Sequence, residues 1–416
     1  MRSSTCNGSW VDCVLVNRRN LALGLGLVVV LGLIAFQELR PLPTIGPTSL
    51  LAASRRLGPA SPALPWPATG SSAVAVSGLG TLATHGPQTS LPMASTAKVM
   101  TAMLVLQGHP LALATKGPLI TVTAADEALY NSDLSQGQSA FPVKAGEQLS
   151  EYQALQAMLV PSGNNVADLL ADWDSGTTAV FVDKMNTRAA GLGLKHTHFA
   201  DASGFSPASV SSPQDLIQLA EAAMNDPVFA EIVKQPEATL PIKGRVFNVN
   251  GDLGQDGIIG VKTGSSPQAG AVFVFAADAR ADDQPARIFG AIMGLSTLAD
   301  AFSAATALIE AVTPALHYRS ILSGDQVVGE YAAPWGDRAT VFASQDVNWV
   351  VFDGMVLHQR PDMRSTTAPL PSGSSVGVLT LQAGDQRTQI PLKTTDAIFE
   401  PDVFWRLTRL GPGGIF

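Results

Sequence analysis

The sequence predicts an α+β fold: an antiparallel sheet flanked by helices, with an inserted helical subdomain, then a small all-β C-terminal module. Three observations carry this expectation. Strand patterns at residues 72–76 and 79–84 are answered far downstream by further strand patterns at 257–264, 271–276 and 287–293. Between them, from about residue 111 to 236, the apolar spacing is mostly helical. After Pro314, short apolar strands alternate with Gly, Pro and Asp turns.

Composition narrows the class. A chain of 416 residues is long enough for two or three domains with a sizeable core. The formal net charge is −8 and no basic stripe is visible, which argues against nucleic acid as a partner. Its two cysteines, Cys6 and Cys13, both precede the first apolar run. The main body therefore holds no disulfide, no cysteine-rich metal site and no cysteine nucleophile.

Taken in order, residues 1–37 read as a cytoplasmic N-terminus and a signal anchor. Residues 21–36 are uninterruptedly apolar and follow Arg18 and Arg19, which places the N-terminus inside by the positive-inside rule. Small residues of a cleavage site are hard to place after the run, so an anchor is favoured over a cleaved signal peptide. Either way the remainder is exported. Residues 38–71 read as an extended tether, with seven prolines between Pro41 and Pro67.

Residues 72–314 form the expected main domain. A hairpin at 72–84 feeds a buried helix that begins near Ser95, whose apolar positions Val99, Met103 and Leu106 recur at helical spacing. Residues 121–143 look polar and turn-rich. Ser150 with Gln153 is a capping-box match opening a helix that Pro161 stops. Further helices are expected at 166–173, 178–190 and 213–225, and a closing helix at 298–312. Residues 315–400 read as the β-rich module, with strands near 327–328, 339–342, 349–352, 376–381 and 388–392. Residues 401–416 read as a short amphipathic tail that packs on the module's edge, in preference to lying on a membrane.

Three short motifs carry chemistry. In Ser95-Thr96-Ala97-Lys98, residues three apart on a helix share a face, so Lys98 Nζ can meet Ser95 Oγ. A serine becomes a nucleophile when an adjacent base takes its proton, and a lysine serves when burial or nearby positive charge lowers its pKa. Alone, S-x-x-K arises by chance about once in a chain of this length. Ser162-Gly163-Asn164 lies in a tight turn between two helices, where Asn also suits a plain N-cap. Lys262-Thr263-Gly264 lies on a strand.

S-x-x-K, S-x-N and K-T-G in this order and these contexts resemble the signature of the penicillin-recognising serine enzymes. The surrounding text, including Phe181-Val182-Asp183-Lys184-Met185-Asn186 and Leu192-Gly193-Leu194-Lys195-His196-Thr197-His198-Phe199, resembles the D-alanyl-D-alanine carboxypeptidases, the low-molecular-mass penicillin-binding proteins. The likeness covers roughly residues 73–312 and implies a β-lactamase/transpeptidase-like fold. It implies that Ser95 attacks the carbonyl between two D-alanines while Lys98 takes its proton. Ser162 would relay that proton to the departing amine, and Asn164 would orient Lys98 and hydrogen-bond the peptide. Lys262 and Thr263 would hold the substrate's terminal carboxylate, and Gly264 would let the peptide approach. The backbone N–H groups of Ser95 and Ser265 would form the oxyanion hole. The implied partners are the peptidoglycan stem peptide and β-lactam antibiotics as covalent inhibitors, with membrane attachment through the N-terminal helix. Neither a metal nor another cofactor is called for.

The chain also departs from the family pattern. No Arg occurs in residues 296–305, where relatives often carry one, and Asn165 stands where an Asp often follows S-x-N. The rival readings are a class A-like β-lactamase, a peptidoglycan D,D-endopeptidase, and a wall-associated scaffold with a degenerate site. The first is disfavoured by Gly163, where S-D-N would put Asp. Minor signals are explained without chemistry. Gly373-Ser374-Ser375-Val376-Gly377 matches a nucleophile elbow but enters a strand rather than a helix. His196 and His198 lack a third ligand, and turn and cap roles account for Asp201 and Asp215.

Overall fold

The computed structural model describes residues 10–409, with side chains from Arg18 onward. The expected cytoplasmic stretch before Trp10, with Cys6, and the tail after Arg409 lie outside the described residues. Helix α1, Trp10–Leu39, is a single helix whose segment Arg18–Leu39 is long and apolar enough to cross a membrane. Its apolar side chains are bare: Leu21 is 76% and Leu31 55% exposed.

The central sheet has five antiparallel strands in the order Ile258–Ser266, Gly270–Ala281, Gln284–Leu295, Ser71–Val76, Gly80–His85. The N-terminal hairpin thus closes onto strands from the far side of the helical insert, with Val74 opposite Gly290 and Ser72 opposite Ile292. Because the sheet is covered on both faces, alternate residues of one strand enter different cores. Ala73 and Ala75 join the large helical core, while Val74 and Val76 pack toward the closing helix. Ile258–Ser266 is left as an edge strand beside the helical subdomain.

That subdomain contains α2 (Lys98–Gly108), α3 (Ala124–Ser135), α4 (Glu151–Leu159), α5 (Asn164–Ser175), α6 (Thr178–Gly191), α7 (Pro213–Met224) and α8 (Pro227–Val233). The capping box of α4 forms as its sequence indicates, Ser150 Oγ accepting from Gln153 N and Gln153 Oε1 from Ser150 N. Helix α3 corrects the reading of residues 121–143 as turns. Its apolar residues are few and none is fully buried, so no periodicity announces it, but Thr123 and Asp126 close a capping box at its start. Helix α9, Leu298–Val312, covers the opposite face of the sheet, its Ala301, Ala305 and Leu308 fully buried.

Beyond it lies an all-β module: a seven-stranded sheet beside a two-stranded ribbon of Leu316–Leu322 with Val347–Phe352. Leu316–Leu322 and Val356–Met363 were not anticipated because they read as polar text, His317-Tyr318-Arg319-Ser320 and His358-Gln359-Arg360. The proline-rich segment is also more than a tether. Pro47–Ser49 and Ser54–Arg56 form the two edge strands of the seven-stranded sheet, and Ile45 and Leu57 enter its core. Proline is compatible with that placement, since an edge strand needs fewer N–H donors. Helix α10, Val403–Thr408, is capped by Asp402 and rests against α1. Arg409 donates from its guanidinium to the carbonyls of Gln37, Arg40 and Pro41.

Candidate active site

Ser95 lies in a single 3-10 turn, Ala94–Ala97, that runs directly into α2. The three-residue offset brings Lys98 Nζ to 2.8 Å from Ser95 Oγ. The turn is tight because the chain behind it is glycine: a Cβ on Gly204, whose φ is +78°, would stand 1.8 Å from Ala94 O. Ser162 occupies the α4–α5 turn at φ +66°, the left-handed region, which aims its hydroxyl back at the two lysines.

Those lysines converge on one hydroxyl. Lys262 Nζ is 2.9 Å and Lys98 Nζ 3.4 Å from Ser162 Oγ. Lys98 Nζ also lies 2.6 Å from Asn164 Oδ1, and Lys262 Nζ donates to Thr263 O at 3.0 Å. Lys98 is 0%, Lys262 2% and Ser162 4% exposed, so water screens none of this. Burial first, and then the positive charge of Lys262, hold the Lys98 pKa well below the usual lysine range. The carboxylates of Asp201, Asp168 and Asp133 oppose that shift. Burial alone lowers Lys262 to about 7. A dry pocket does not readily hold two adjacent ammonium ions, and both shifts run in the direction that relieves that repulsion.

Above this layer opens a cleft of about 500 Å³, lined by Ser95, Gln138, Asn164, Phe205, Ser265 and Gln268 among others. Thr263 is buried beneath it, and Gly264 packs directly on the Ser95 turn. A somewhat larger cavity, about 570 Å³, lies between Trp335 and Trp405 near α10, and neither a lysine nor a histidine lines it. The eight residues expected at the site, Ser95, Lys98, Ser162, Asn164, Lys262, Thr263, Gly264 and Ser265, thus gather around one cleft from three distant parts of the chain.

Other candidates stand apart. His196 N donates to the Asp215 carboxylate, and His198 pairs through its backbone with Val210. Asp201 accepts from Ser203, Gly204, Ser206 and Ser209 in the turn behind Ser95. Among the described residues, no group of three or more His, Cys, Asp or Glu is placed to hold a metal ion. Gly373 turns the chain into the strand Ser375–Ala383, so no elbow forms. The site also includes residues the sequence reading missed. Gln138 Oε1 accepts from Asn164 Nδ2 at 2.7 Å, and Ser139 O accepts from Asn164 N at 2.7 Å. Burial, reinforced by Asp201 and Asp133, pushes Asp168 up to about 7. The capping box of α3 was the one available signal for the first two.

Comparisons with known proteins bear on the family and the fold. A D-alanyl-D-alanine carboxypeptidase from Streptomyces sp. (strain K15) is 34% identical over 214 residues, 47% of this chain and 72% of the relative. The D-alanyl-D-alanine carboxypeptidase DacD of Escherichia coli (strain K12) is 28% identical, with 76% of this chain and 82% of the relative aligned. The crystal structure of the D-alanyl-D-alanine carboxypeptidase DacD from Francisella tularensis superposes with a TM-score of 0.62. It covers 85% of this chain and 98% of its own, and at 21% identity it speaks for the fold alone. A family model described as D-alanyl-D-alanine carboxypeptidase matches residues 72–297, more than half the chain and all three motifs, and the chain belongs to that family of serine peptidases.

Proposed function

We propose that Ser95 is the residue acylated when this serine-type D-alanyl-D-alanine carboxypeptidase trims the peptidoglycan stem peptide. The observation that carries the assignment is Lys98 Nζ at 2.8 Å from Ser95 Oγ in a buried pocket that lowers the pKa of the amine. Ser95 Oγ attacks the carbonyl between the last two D-alanines as its proton passes to Lys98. The N–H groups of Ser95 and Ser265 receive the developing oxyanion. Ser162, 3.4 Å from Lys98 and 2.9 Å from Lys262, hands the proton on to the departing D-alanine amine. Lys262 and Thr263 hold the terminal carboxylate, and Asn164 binds both Lys98 and the peptide. Water then cleaves the ester, its proton following the same route through Lys98. β-Lactams acylate the same serine and leave it slowly.

Helix α1 supports a place in the cell membrane. Arg18 and Arg19 at the start of its apolar segment support a catalytic domain on the extracytoplasmic side, where the stem peptide is.

Labelling of the full-length protein with a fluorescent penicillin, beside Ser95→Ala, tests this assignment. A durable label lost in the variant, with D-alanine released from a pentapeptide, is the expected result. Rapid turnover of the label points to a β-lactamase, absence of label to a scaffold. Cleavage of cross-linked peptides without D-alanine release from the pentapeptide points to an endopeptidase.

A further inference from the structure

A neutral lysine has two N–H bonds and one lone pair, and Lys98 has three polar neighbours. Ser95 Oγ is at 2.8 Å, Asn164 Oδ1 at 2.6 Å and Ser162 Oγ at 3.4 Å. For Lys98 to take the Ser95 proton, its lone pair must face Ser95, and both N–H bonds must be committed elsewhere. Asn164 decides whether they are. With Oδ1 toward Lys98 it accepts one N–H. Turned over, its NH2 donates to the lone pair and Ser95 loses its base. Lys98 itself does not choose, because a neutral amine can pair with either end of the amide.

The choice is made from the other side. Asn164 Nδ2 donates to Gln138 Oε1 at 2.7 Å. Gln138 Nε2 in turn donates to Gln136 Oε1 at 3.4 Å, and Gln136 Nε2 to Ser132 Oγ at 3.0 Å. Every amide in this series points the same way. The segment carrying it is fastened at both ends, Gln138 N donating to Asp133 O and Asn164 N to Ser139 O. Residues 136–139 of this segment, Gln136 and Gln138 among them, line the cleft.

We infer that Gln138 is a positioning residue for the acylation step: its side-chain carbonyl holds the Asn164 amide in the one orientation that leaves the Lys98 lone pair facing Ser95. Gln138 touches neither the reacting carbonyl nor the proton. It occupies one amide hydrogen of Asn164 and leaves the other to donate to the substrate peptide. The inference rests on Lys98 serving as the base of Ser95.

The test is the second-order rate of acylation of the full-length enzyme by a fluorescent penicillin, followed across pH, for the parent, Gln138→Met and Gln138→Glu. Gln138→Met keeps the length but removes the acceptor, so acylation falls about tenfold or more as the amide turns over. Gln138→Glu keeps the acceptor and adds charge. It strengthens the hold on Asn164 and, through Oδ1, favours the ammonium form of Lys98, so the acidic limb moves to higher pH by about half a unit or more. Melting temperatures of both variants separate folding from chemistry, and if Gln138→Met does not fold, Gln138→Glu carries the test. An unmoved pH limb in Gln138→Glu, or parental acylation rates in Gln138→Met, overturns the inference. Because labelling of the parent and its loss in Ser95→Ala are scored alongside, that outcome leaves the Ser95 assignment standing. No label on the parent defeats the assignment itself.

Discussion

Gly264 is pressed against Ser95: a Cβ added to Gly264 would stand 2.9 Å from Ser95 N, 3.0 Å from Ala94 Cβ and 3.2 Å from Met93 O. Two of those neighbours are backbone, which cannot swing aside. The contact seats the edge strand against the turn that carries Ser95 and brings Ser95 and Ser265 to one cleft.

Gly264→Ala therefore forces the strand away from the turn. With the proposed oxyanion donors displaced, penicillin acylation is expected to fall by about 10²-fold or more. The global fold survives, since the strand keeps its pairing with Gly270–Ala281. Stopped-flow acylation beside a thermal melt reads both, and a variant with parental acylation would show that the close approach has no part in the chemistry.

Lys262 acts on Lys98 through space, and its removal has a sign. Its positive charge is the second cause, after burial, of the lowered Lys98 pKa. Lys262→Met lets that pKa rise, so the acidic limb of acylation moves to higher pH, and loss of the proposed partner of the substrate carboxylate slows acylation at every pH. Stability moves too. Lys262 titrates at about 7 when folded and near 10.4 when unfolded. Between those values the unfolded chain binds the extra proton, so this residue's contribution to stability rises with pH. Lys262→Met lacks that term. Its melting temperature gains on the parent most at about pH 7 and least at about pH 10, and an advantage that grows with pH would contradict the assignment.

Much of this site was legible because its chemistry is local. The Ser95–Lys98 contact follows from helical spacing, and the edge strand with its K-T-G triplet from β patterning, so both could be read before any contact was known. What stayed hidden depends on residues without a periodic signal. Helix α3 buries little apolar surface of its own, and only Asp133 is fully buried along it. Its sequence therefore resembles a loop although its C-terminal end supplies Gln136 and Gln138. The strands Pro47–Ser49 and Ser54–Arg56 escaped for a related reason. Their side chains are mostly exposed, and backbone pairing to a sheet far along the chain is what orders them.

Asn165 departs from the family's frequent Asp, and its contacts explain the difference. Its Oδ1 accepts from Phe141 N at 2.8 Å while its Nδ2 donates to Phe141 O at 2.9 Å, at 2% exposure. An ionised Asp satisfies the first and sets a carboxylate oxygen against the carbonyl in the second. Asn165→Asp is expected to cost about 1–3 kcal/mol near neutral pH. The deficit shrinks as the pH falls and the carboxyl regains a donor. Denaturant unfolding at two pH values checks this. A deficit that does not depend on pH would mean that repulsion at Phe141 O is not its cause.

Arg409 ties the segment that follows the β module to the C-terminal end of α1. Only 1% exposed, it donates to the carbonyls of Pro41 at 3.1 Å, Gln37 at 3.2 Å and Arg40 at 2.7 Å, while Gln37 Nε2 donates back to Arg409 O. Three carbonyls at the C-terminal end of a helix suit a cation, because the helix dipole places partial negative charge there. Arg409→Ala leaves those carbonyls to water and loosens α10, whose remaining holds include Trp405 against Trp335, Arg406 against Glu38 and Glu400, and Gln37 Nε2 on the backbone carbonyl of residue 409. Faster amide exchange across residues 403–409 is the expected outcome, with penicillin acylation unchanged because the cleft lies in the other domain. If exchange there matches the parent, the aromatic pair and not the guanidinium holds the helix in place.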